Sequence, residues 1–392
     1  MKRKEHDIFE IVESGQFDFE QWLELNQLSL ADKAVKKLRK AVDLAQKNVS
    51  TTPVIKLNTL AAGLELAEVL THFNADNETL TASVLLPAVI SGTIDTETLK
   101  KHCGSSIAEL VRGAGQMEAM RTLQQSSGAE NDEQQVESLR KMLLAMVNDA
   151  RVVLLKLADR VVTLRHIKDA ERDMQVIFAK ETKDIFAPLA NRLGIGQLKW
   201  ELEDLAFRYL EPDAYKNIAK SLREKRVARE QYIQDVLDLL NSKLEDESIK
   251  ADVTGRVKHI YSIWKKMTRK KVSFEEIYDV RAVRILVDKV QDCYATLGIV
   301  HGSWQHIPKE FDDYVATPKE NGYRSIHTAV VGPEGKVLEV QIRTHQMHDE
   351  AEKGIAAHWA YKEGTNLNRV GVDEKIEWMR QLLEWQSELA DT

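Results

Sequence analysis

Apolar residues recur at spacings of three and four through most of residues 17–245. The segments FDFEQWLELNQL and YIQDVLDLLNSKL are clear examples. Because an α-helix turns once every ~3.6 residues, this spacing gathers the apolar side chains on one helical face. The pattern predicts an all-α region over this half of the chain.

After about residue 250, β-branched residues alternate with polar ones in short runs separated by Gly and Pro turns. The runs are VRAVRILV (280–287), HTAVVG (327–332) and VLEVQIRT (337–344). Alternation with a period of two is typical of strands with one buried face. We therefore expect a compact α+β domain here, followed by an amphipathic helix over 374–390.

Size and composition narrow the class of protein. The chain has 392 residues, 43% hydrophobic and 30% charged, with a net charge of −7. This predicts a folded protein of two or three domains. The N-terminus lacks the apolar core of a signal peptide, and no run of about 18 apolar residues predicts a membrane span. We expect a cytoplasmic protein. Cys103 and Cys293 lack the spacing of metal or redox motifs.

Residues 256–271 contain seven basic side chains and no acidic one, despite the negative net charge. On a helix, one face would carry Lys258, Ser262, Lys265, Lys266 and Arg269, and the other Ile260, Ile263, Trp264 and Met267. Such a stretch is either a solvated lysine-rich face or a site for an anion. The stretch alone leaves both interpretations open.

Two carboxylates add chemistry to this charge. In VLEVQIRT, strand alternation places Glu339, Gln341 and Arg343 on the face opposite Leu338, Val340 and Ile342. Asp279 precedes another predicted strand. Alone, Asp279 is equally well explained as a salt-bridge partner. Two carboxylates facing clustered cations, however, are typical of magnesium-dependent phosphoryl transfer.

The segment DDYVATPKENGYRSIHT, residues 312–328, adds further polar candidates around a Gly turn: Lys319, Asn321, Tyr323 and His327. Tyr323 is suited to stack on a purine base, although a tyrosine beside a turn is more often a packing residue. Its position beside two phosphate-binding candidates favours the base-stacking interpretation.

Four segments in order resemble the synthetase domain of the RelA/SpoT family. They are GRVKHIYSIWKKM (255–267), YDVRAVRI (278–285), EFDDYVATPKENGYRSIHT (310–328) and EVQIRTHQMHDEAEKGIAAHWAYK (339–362). The resemblance implies a nucleotidyltransferase-like α+β domain with a mixed sheet. It also implies Mg²⁺-dependent transfer of pyrophosphate from ATP to the 3′-hydroxyl of GDP or GTP, which makes ppGpp or pppGpp.

The resemblance also assigns roles to residues. It implies that Arg256, Lys258, Ser262 and Lys266 bind ATP, that Lys319, Asn321, Tyr323, His327, Gln341 and Arg343 bind the acceptor, and that Asp279 and Glu339 are catalytic and bind Mg²⁺. Glu310, Asp312 and Asp313 match the acidic pattern of synthetase-only members. One hypothesis is that Glu310 and Asp312 recruit an additional Mg²⁺.

The helical half resembles the family's manganese-dependent hydrolase domain, but its metal ligands are missing. The histidine and His-Asp positions fall at or near Ala62, Pro87 and Ala88, and only Asp159 matches a ligand. One carboxylate cannot form a metal site of three or four protein ligands. We expect no bound Mn²⁺ and no hydrolase activity.

The resemblance suggests an organisation and partners for the chain. We expect an inactive hydrolase-like domain over 1–199, connecting helices over 200–250, a synthetase domain over 251–365, and from 366–392 the start of a linker to absent regulatory domains. Through those domains, a full-length protein would bind the ribosome and deacylated tRNA. A silent nucleotide-sensing or ribosome-docking module is the alternative, and a bifunctional enzyme is less favoured.

Overall fold

The computed structural model describes residues 8–28, 30–126, 149–224, 226–256, 258–274 and 281–354. These residues form two compact units, one ending at Leu193 and the other running from Gly194 to Gly354. Asp279 and the predicted helix at 374–390 lie outside the described residues, as do the proposed linker at 366–392 and the end of the predicted synthetase domain.

The described part of the first unit is built from helices, as predicted. They are α1 (Ile8–Glu13), α2 (Phe19–Leu25), α3 (Asp32–Lys47), α4 (Thr59–Thr71), α5 (Asn77–Ile90), α6 (Thr96–Cys103), α7 (Ser105–Ser126), α8 (Ala150–His166), α9 (Arg172–Glu181) and α10 (Ala187–Arg192), with a π-helical turn at Thr182–Phe186 joining the last two. Several of these helices begin after an Asp or Asn whose side-chain oxygen accepts a backbone N–H of the first turn; Asp18, Asn58, Asp76, Asp95 and Asp149 do so.

Helix α5 is the centre of this unit. All its residues from Thr79 to Ala88 are buried. Helix α4 approaches it so closely that a Cβ on Gly63 would lie 2.3 Å from the carbonyl oxygen of Val84. Only glycine permits this approach, so the two helices pack backbone to backbone.

The second unit combines helices with a six-stranded sheet. Its helices are α11 (Gly196–Leu210), α12 (Pro212–Glu224), α13 (Arg226–Asp246), α14 (Ile260–Lys270), α15 (Val290–Ser303) and α16 (His345–Lys353). Its strands are β1 (Ala251–Gly255), β2 (Ala282–Val287), β3 (Gln305–His306), β4 (Asp312–Asp313), β5 (Ile326–Val331) and β6 (Val337–Thr344). The order is β1-β2-β6-β5-β3, with β4 also paired to β5. Strands β2 and β6 are parallel and the other pairs antiparallel, which confirms the mixed sheet.

One face of this sheet is apolar. Leu338, Val340 and Ile342 of β6 are completely buried, as the alternation predicts. They belong to one cluster with residues of α13 and α15, including Leu240 and Val300. Helices α11, α12 and α13, which span most of the range interpreted above as connecting helices, therefore belong to the second unit, where α11 and α12 pack on α14.

The basic stretch is not one helix, which corrects the predicted helical face. Helix α14 begins at Ile260, so Arg256 and Lys258 precede it. At Arg256 the chain still follows the sheet, because the Arg256 N–H donates to the Ala282 carbonyl (2.8 Å), continuing the pairing of β1 with β2. The apolar side of α14 is as predicted: Ile260, Ile263, Trp264 and Met267 pack in a cluster that includes Phe207. No helix in the described ranges has the length and apolar character needed to cross a bilayer.

Candidate functional site

The candidate site is the polar face of the central strands. Glu339, Gln341 and Arg343 alternate along β6 with its buried apolar residues. The strand register places Arg284 of β2 beside Gln341 on one side and His327 of β5 beside it on the other. Since neighbouring residues in register share a face, these side chains form one polar row across three strands.

Glu339 is the point where the predicted donor and catalytic residues meet. Its Oε2 is 2.8 Å from Lys258 Nζ, and its Oε1 is 3.4 Å from Arg256 Nη1. Gln341 Nε2 donates to the same Oε1 at 2.9 Å. Two cations therefore compensate the charge of a largely buried carboxylate. Arg256 and Lys258 both precede α14, which begins at Ile260.

The predicted acceptor residues also cluster. A hydrogen bond of 2.8 Å joins Tyr323 Oη and His327 Nε2. Lys319 Nζ lies 4.3 Å from the ring centroid of Tyr314 and 5.6 Å from that of Tyr323. The guanidinium carbon of Arg343 is 5.9 Å from the Tyr323 ring. These contacts give the aromatic rings a cationic surrounding.

A turn before β5 orients Tyr323. The Gly322 N–H donates to the Lys319 carbonyl at 2.8 Å, and Gly322 has a φ of +75°, which favours glycine. Asn321 Oδ1 accepts the Tyr323 N–H at 3.3 Å. The predicted Gly turn is therefore present, and Asn321 acts within it on the backbone of Tyr323.

Burial lowers the pKa of His327 to about 4, with Arg256, Lys319 and Arg343 contributing in the same direction and Glu339 opposing them. The imidazole is therefore neutral near pH 7. A neutral ring has one donor and one acceptor nitrogen, so the tautomer decides whether His327 accepts from or donates to Tyr323.

The acidic motif is divided between two environments. Glu310 contacts two lysines of α14: Lys270 Nζ at 2.7 Å and Lys266 Nζ at 3.8 Å. Asp313 instead accepts the backbone N–H groups of Val315 and Ala316, at 3.0 and 2.9 Å. Asp312 is exposed on β4. Of the three, Glu310 is thus the one in contact with the predicted ATP-binding helix.

The remaining predicted ATP residue, Ser262, is half-buried on α14 one turn before Lys266. The two side chains share a helical face, as expected. Within the described ranges, no group of three or more His, Cys, Asp or Glu side chains is arranged to hold a metal ion. Asp279 falls outside those ranges, so its pairing with Glu339 stays a prediction.

In the first unit, two of the positions expected to have lost metal ligands, Ala62 and Pro87, line a cavity of about 790 Å³. Ala62 of α4, Pro87 of α5 and Asp159 of α8 contribute to its wall, together with apolar residues such as Phe178. Ala88 is fully buried. Asp159 is the one carboxylate among the described residues of this wall, and it forms an ion pair with Lys156 Nζ at 2.7 Å.

Comparison with known proteins matches one family profile to the helical part of the chain and another to the α+β part. The family profile described as "Region found in RelA / SpoT proteins" matches residues 255–366, and an HD domain profile matches residues 41–196. The chain is 47% identical over 384 residues to the GTP pyrophosphokinase of Escherichia coli K12, covering 97% of this chain and 51% of that protein. The chain belongs to the RelA/SpoT family.

Other relatives of this RelA/SpoT chain differ in their described activity. It is 43% identical over 350 residues, 88% of this chain and 45% of the relative, to a Synechocystis protein described as a probable guanosine-3′,5′-bis(diphosphate) 3′-pyrophosphohydrolase. The small alarmone synthetase 1 of Bacillus subtilis, solved with pppGpp, has a TM-score of 0.30 and 27% identity, covering 44% of this chain and 97% of its own. The chain spans about half the length of the curated relatives it matches.

The polar face of the central strands includes one arginine, Arg284, that was not predicted from the sequence. Arg284 lies beside Gln341, and burial together with the charge of Arg343 lowers the pKa of its guanidinium to about 10. Its signal in the sequence is simple: it is the one charged residue in the strand AVRILV. Burying an arginine there is unfavourable unless a partner compensates its charge.

That partner is Glu352 of α16, which Arg284 shares with Arg343. The Glu352 Oε1 lies 2.8 Å from Arg343 Nη2 and 3.5 Å from Arg284 Nη2. Arg343 is 1% exposed, and its Nε and Nη1 have no hydrogen-bond partner in the described part of the chain. One carboxylate thus faces two guanidinium groups. Arg284, Arg343 and Glu352 together therefore leave a net positive charge on the polar face.

Proposed function

We propose that this chain transfers pyrophosphate from ATP to the 3′-hydroxyl of GDP or GTP, making ppGpp or pppGpp. The contact of Glu339 with Arg256 and Lys258 is the observation that supports this most directly. This contact joins a carboxylate suited to accept a proton with cations suited to bind phosphates. Glu339 lies two residues along β6 from Gln341, the first acceptor residue on that strand. The 47% identity to a GTP pyrophosphokinase supports the same activity.

In this proposal, Arg256, Lys258 and Lys266 bind the phosphates of ATP. Phosphates compete with Glu339 for Lys258, so donor binding would release the carboxylate from its ion pair. Glu339 then takes the proton of the 3′-hydroxyl as the hydroxyl oxygen bonds to the β-phosphorus. The bond from that phosphorus to the α–β bridging oxygen breaks, and AMP leaves with the electron pair.

The acceptor is held by the cluster around Tyr323. Its ring would stack on guanine, with Lys319, Arg343 and Gln341 near the polar groups of the nucleotide. His327, neutral because of its lowered pKa, would orient Tyr323 without adding charge beside the reacting hydroxyl. Asn321 would act through the turn that positions Tyr323.

The proposed reaction uses Mg²⁺. Carboxylate oxygen is the ligand type that Mg²⁺ prefers, and it commonly binds one or two carboxylates plus substrate phosphates. Glu339 fits this donor set, and Asp279 would be its second member. The ion would neutralise charge on the transferred group.

We also propose that the chain lacks hydrolase activity, in contrast to the description of the Synechocystis relative. Ala62, Pro87 and Ala88 offer no ligand, and Asp159 is paired with Lys156. Manganese-dependent release of pyrophosphate from ppGpp would refute this part. Ribosome and deacylated-tRNA binding remain proposals for a longer protein, and the cytoplasm remains the expected location.

The test is to incubate the chain with ATP labelled in the β- and γ-phosphates and with GDP or GTP, with and without Mg²⁺, and to separate the nucleotides. We expect labelled ppGpp or pppGpp only with Mg²⁺. A product that forms equally without the ion would refute the magnesium requirement. Absence of any labelled guanosine product under every condition would favour the silent nucleotide-sensing or docking module.

A further inference from the structure

Helix α11 lies along the start of the predicted ATP-binding helix and contacts it through Trp200, Asp204 and Phe207. These residues are spaced by four and three, so they share one face of α11. Phe207 packs in the apolar cluster, with its ring centroid 4.8 Å from that of Trp264. The other two contact the polar end of the helix, where the donor residues begin.

Asp204, a residue of α11, caps the N-terminus of α14. The residue at the N-cap position, His259, forms no side-chain capping bond. Instead, Asp204 Oδ1 accepts the Tyr261 N–H at 2.8 Å, and Oδ2 lies 3.3 Å from His259 Nδ1. The first N–H groups of a helix need such acceptors, and a carboxylate there is favoured by the helix dipole. Asp204 therefore fixes where and in which direction α14 begins.

This cap also changes how α14 meets an anion. A free helix N-terminus would attract phosphate through its N–H groups and dipole. Asp204 occupies the Tyr261 N–H and places a negative charge beside it. We therefore expect phosphate binding to depend more on the side chains of Arg256, Lys258 and Lys266 than on the N–H groups at the start of the helix.

Trp200 holds the segment that joins β1 to α14. Its ring stacks on His259, with centroids 5.3 Å apart and planes at 25°. On the same ring, the guanidinium carbon of Arg256 lies 5.5 Å from the centroid. One indole thus contacts both ends of the four-residue segment that carries Arg256 and Lys258, which limits the conformations available to that segment.

We propose that Trp200 and Asp204 are positioning residues of the ATP site, acting through His259 and Tyr261 to hold Arg256 and Lys258 in place for the donor phosphates. The inference rests on the proposed function, because it assigns ATP to this end of the site. Its test measures donor binding separately from turnover.

The first experiment compares variants of α11 that differ in capping. In Asp204→Ala, we expect the dissociation constant of a non-hydrolysable ATP analogue to rise about tenfold, while that of GDP stays within twofold. Asp204→Asn keeps an oxygen that can accept the Tyr261 N–H, so we expect it to recover most of the affinity. Glu203→Gln is the matched control, because Glu203 directly precedes Asp204 and pairs with Lys199 of the same helix (3.0 Å).

Thermal unfolding of each variant separates positioning from loss of the fold. Unchanged ATP-analogue affinity in Asp204→Ala would overturn the proposal. Equal weakening of ATP-analogue and GDP binding, or Asp204→Asn binding as poorly as Asp204→Ala, would do the same. If the unsubstituted chain binds the analogue and Asp204→Ala does not, the positioning role stands even where no guanosine product forms. Absence of analogue binding in the unsubstituted chain would overturn both proposals.

The second experiment uses the fluorescence of Trp200. The chain has seven tryptophans, so the signal of Trp200 is the difference between the unsubstituted chain and Trp200→Phe. Because phosphates bound by Arg256 would bring negative charge close to this ring, we expect the ATP analogue to change the emission of the unsubstituted chain and to change that of Trp200→Phe much less. An equal change in both would overturn the role of Trp200.

Discussion

The two units use a lone carboxylate in opposite ways. In the second unit, Glu339 lies on a polar sheet face with Lys258 and Arg256 in contact, and more cations lie nearby. In the first unit, Asp159 lines a largely apolar cavity and pairs with the buried Lys156. In the proposed mechanism Glu339 takes part in transfer because the cations around it would bind phosphates, whereas Asp159 only compensates the charge of Lys156. Residue type alone does not distinguish these cases.

The largest expected effect is on transfer by the second unit. We expect Glu339→Gln to lower the rate of product formation by about 10²- to 10⁴-fold, the usual contribution of a general base. The matched control is Glu334→Gln, at an exposed glutamate in the turn before β6. Nucleotide separation measures the rate. A rate within threefold of the control would remove Glu339 from the mechanism.

The corresponding change in the first unit should affect stability and not transfer. Asp159→Asn leaves Lys156, whose side chain is 4% exposed, without that carboxylate. Because a buried charge is less stable when one of its partners is removed, we expect the free energy of unfolding to fall by about 2 kcal/mol. Urea unfolding measures this, with the exposed Asp169→Asn as control. A large loss of transfer with unchanged stability would contradict the contrast between the units.

The buried histidine of the second unit should make its stability depend on pH. The folded pKa of His327 is about 4, below the ordinary value of 6.5, because burial disfavours the charged ring. Between those two values the unfolded chain binds the extra proton, so stability falls as pH drops from about 6.5 to 4. Over the whole interval we expect this to account for about 3 kcal/mol of unfolding free energy, of which about 2 kcal/mol falls between pH 7.5 and pH 5.

Urea unfolding at pH 7.5 and pH 5 checks this for the unsubstituted chain and for His327→Gln. The variant should lose less stability between the two pH values, because it has no imidazole to protonate on unfolding. His306→Gln, at an exposed histidine on β3, should behave like the unsubstituted chain. An identical pH dependence in His327→Gln would show that other groups carry it.

The smallest expected effect concerns the acidic motif. Glu310 competes with an incoming phosphate for Lys266 and Lys270, and it is partly exposed, so its ion pairs are weak. We expect Glu310→Gln to tighten binding of an ATP analogue about two- to threefold, with Glu320→Gln as control. The alternative is that Glu310 and Asp312 recruit a second Mg²⁺. Two results together would support it: transfer by the Glu310→Arg, Asp312→Lys variant depends less steeply on magnesium, and Glu310→Gln binds the ATP analogue no more tightly than the unsubstituted chain.

Local patterns predicted much of this molecule. The strand at 337–344, its two faces, the Gly turn before Tyr323 and the apolar side of α14 all depend on short-range spacing, and each was predicted. What sequence reasoning missed depends on contacts between distant residues. Arg284 joins the site through strand pairing, and Asp204 caps a helix that begins 56 residues later. Lys258 leaves the predicted helical face because α14 begins only at Ile260, after the chain has continued the pairing of β1 with β2 as far as Arg256.

The parallel pairing of β2 with β6 has a consequence for how the second unit is made. Strand β6 is the last strand among the described residues, yet it inserts between β2 and β5 at the centre of the sheet. Parallel neighbours cannot be joined by a tight hairpin, and here some fifty residues separate them, so closing this contact involves a large loss of chain entropy. Until β6 has paired with β2 and β5, Glu339 does not lie beside the proposed ATP-binding residues or the proposed acceptor residues. Catalytic competence should therefore appear late during folding, together with burial of the central strand.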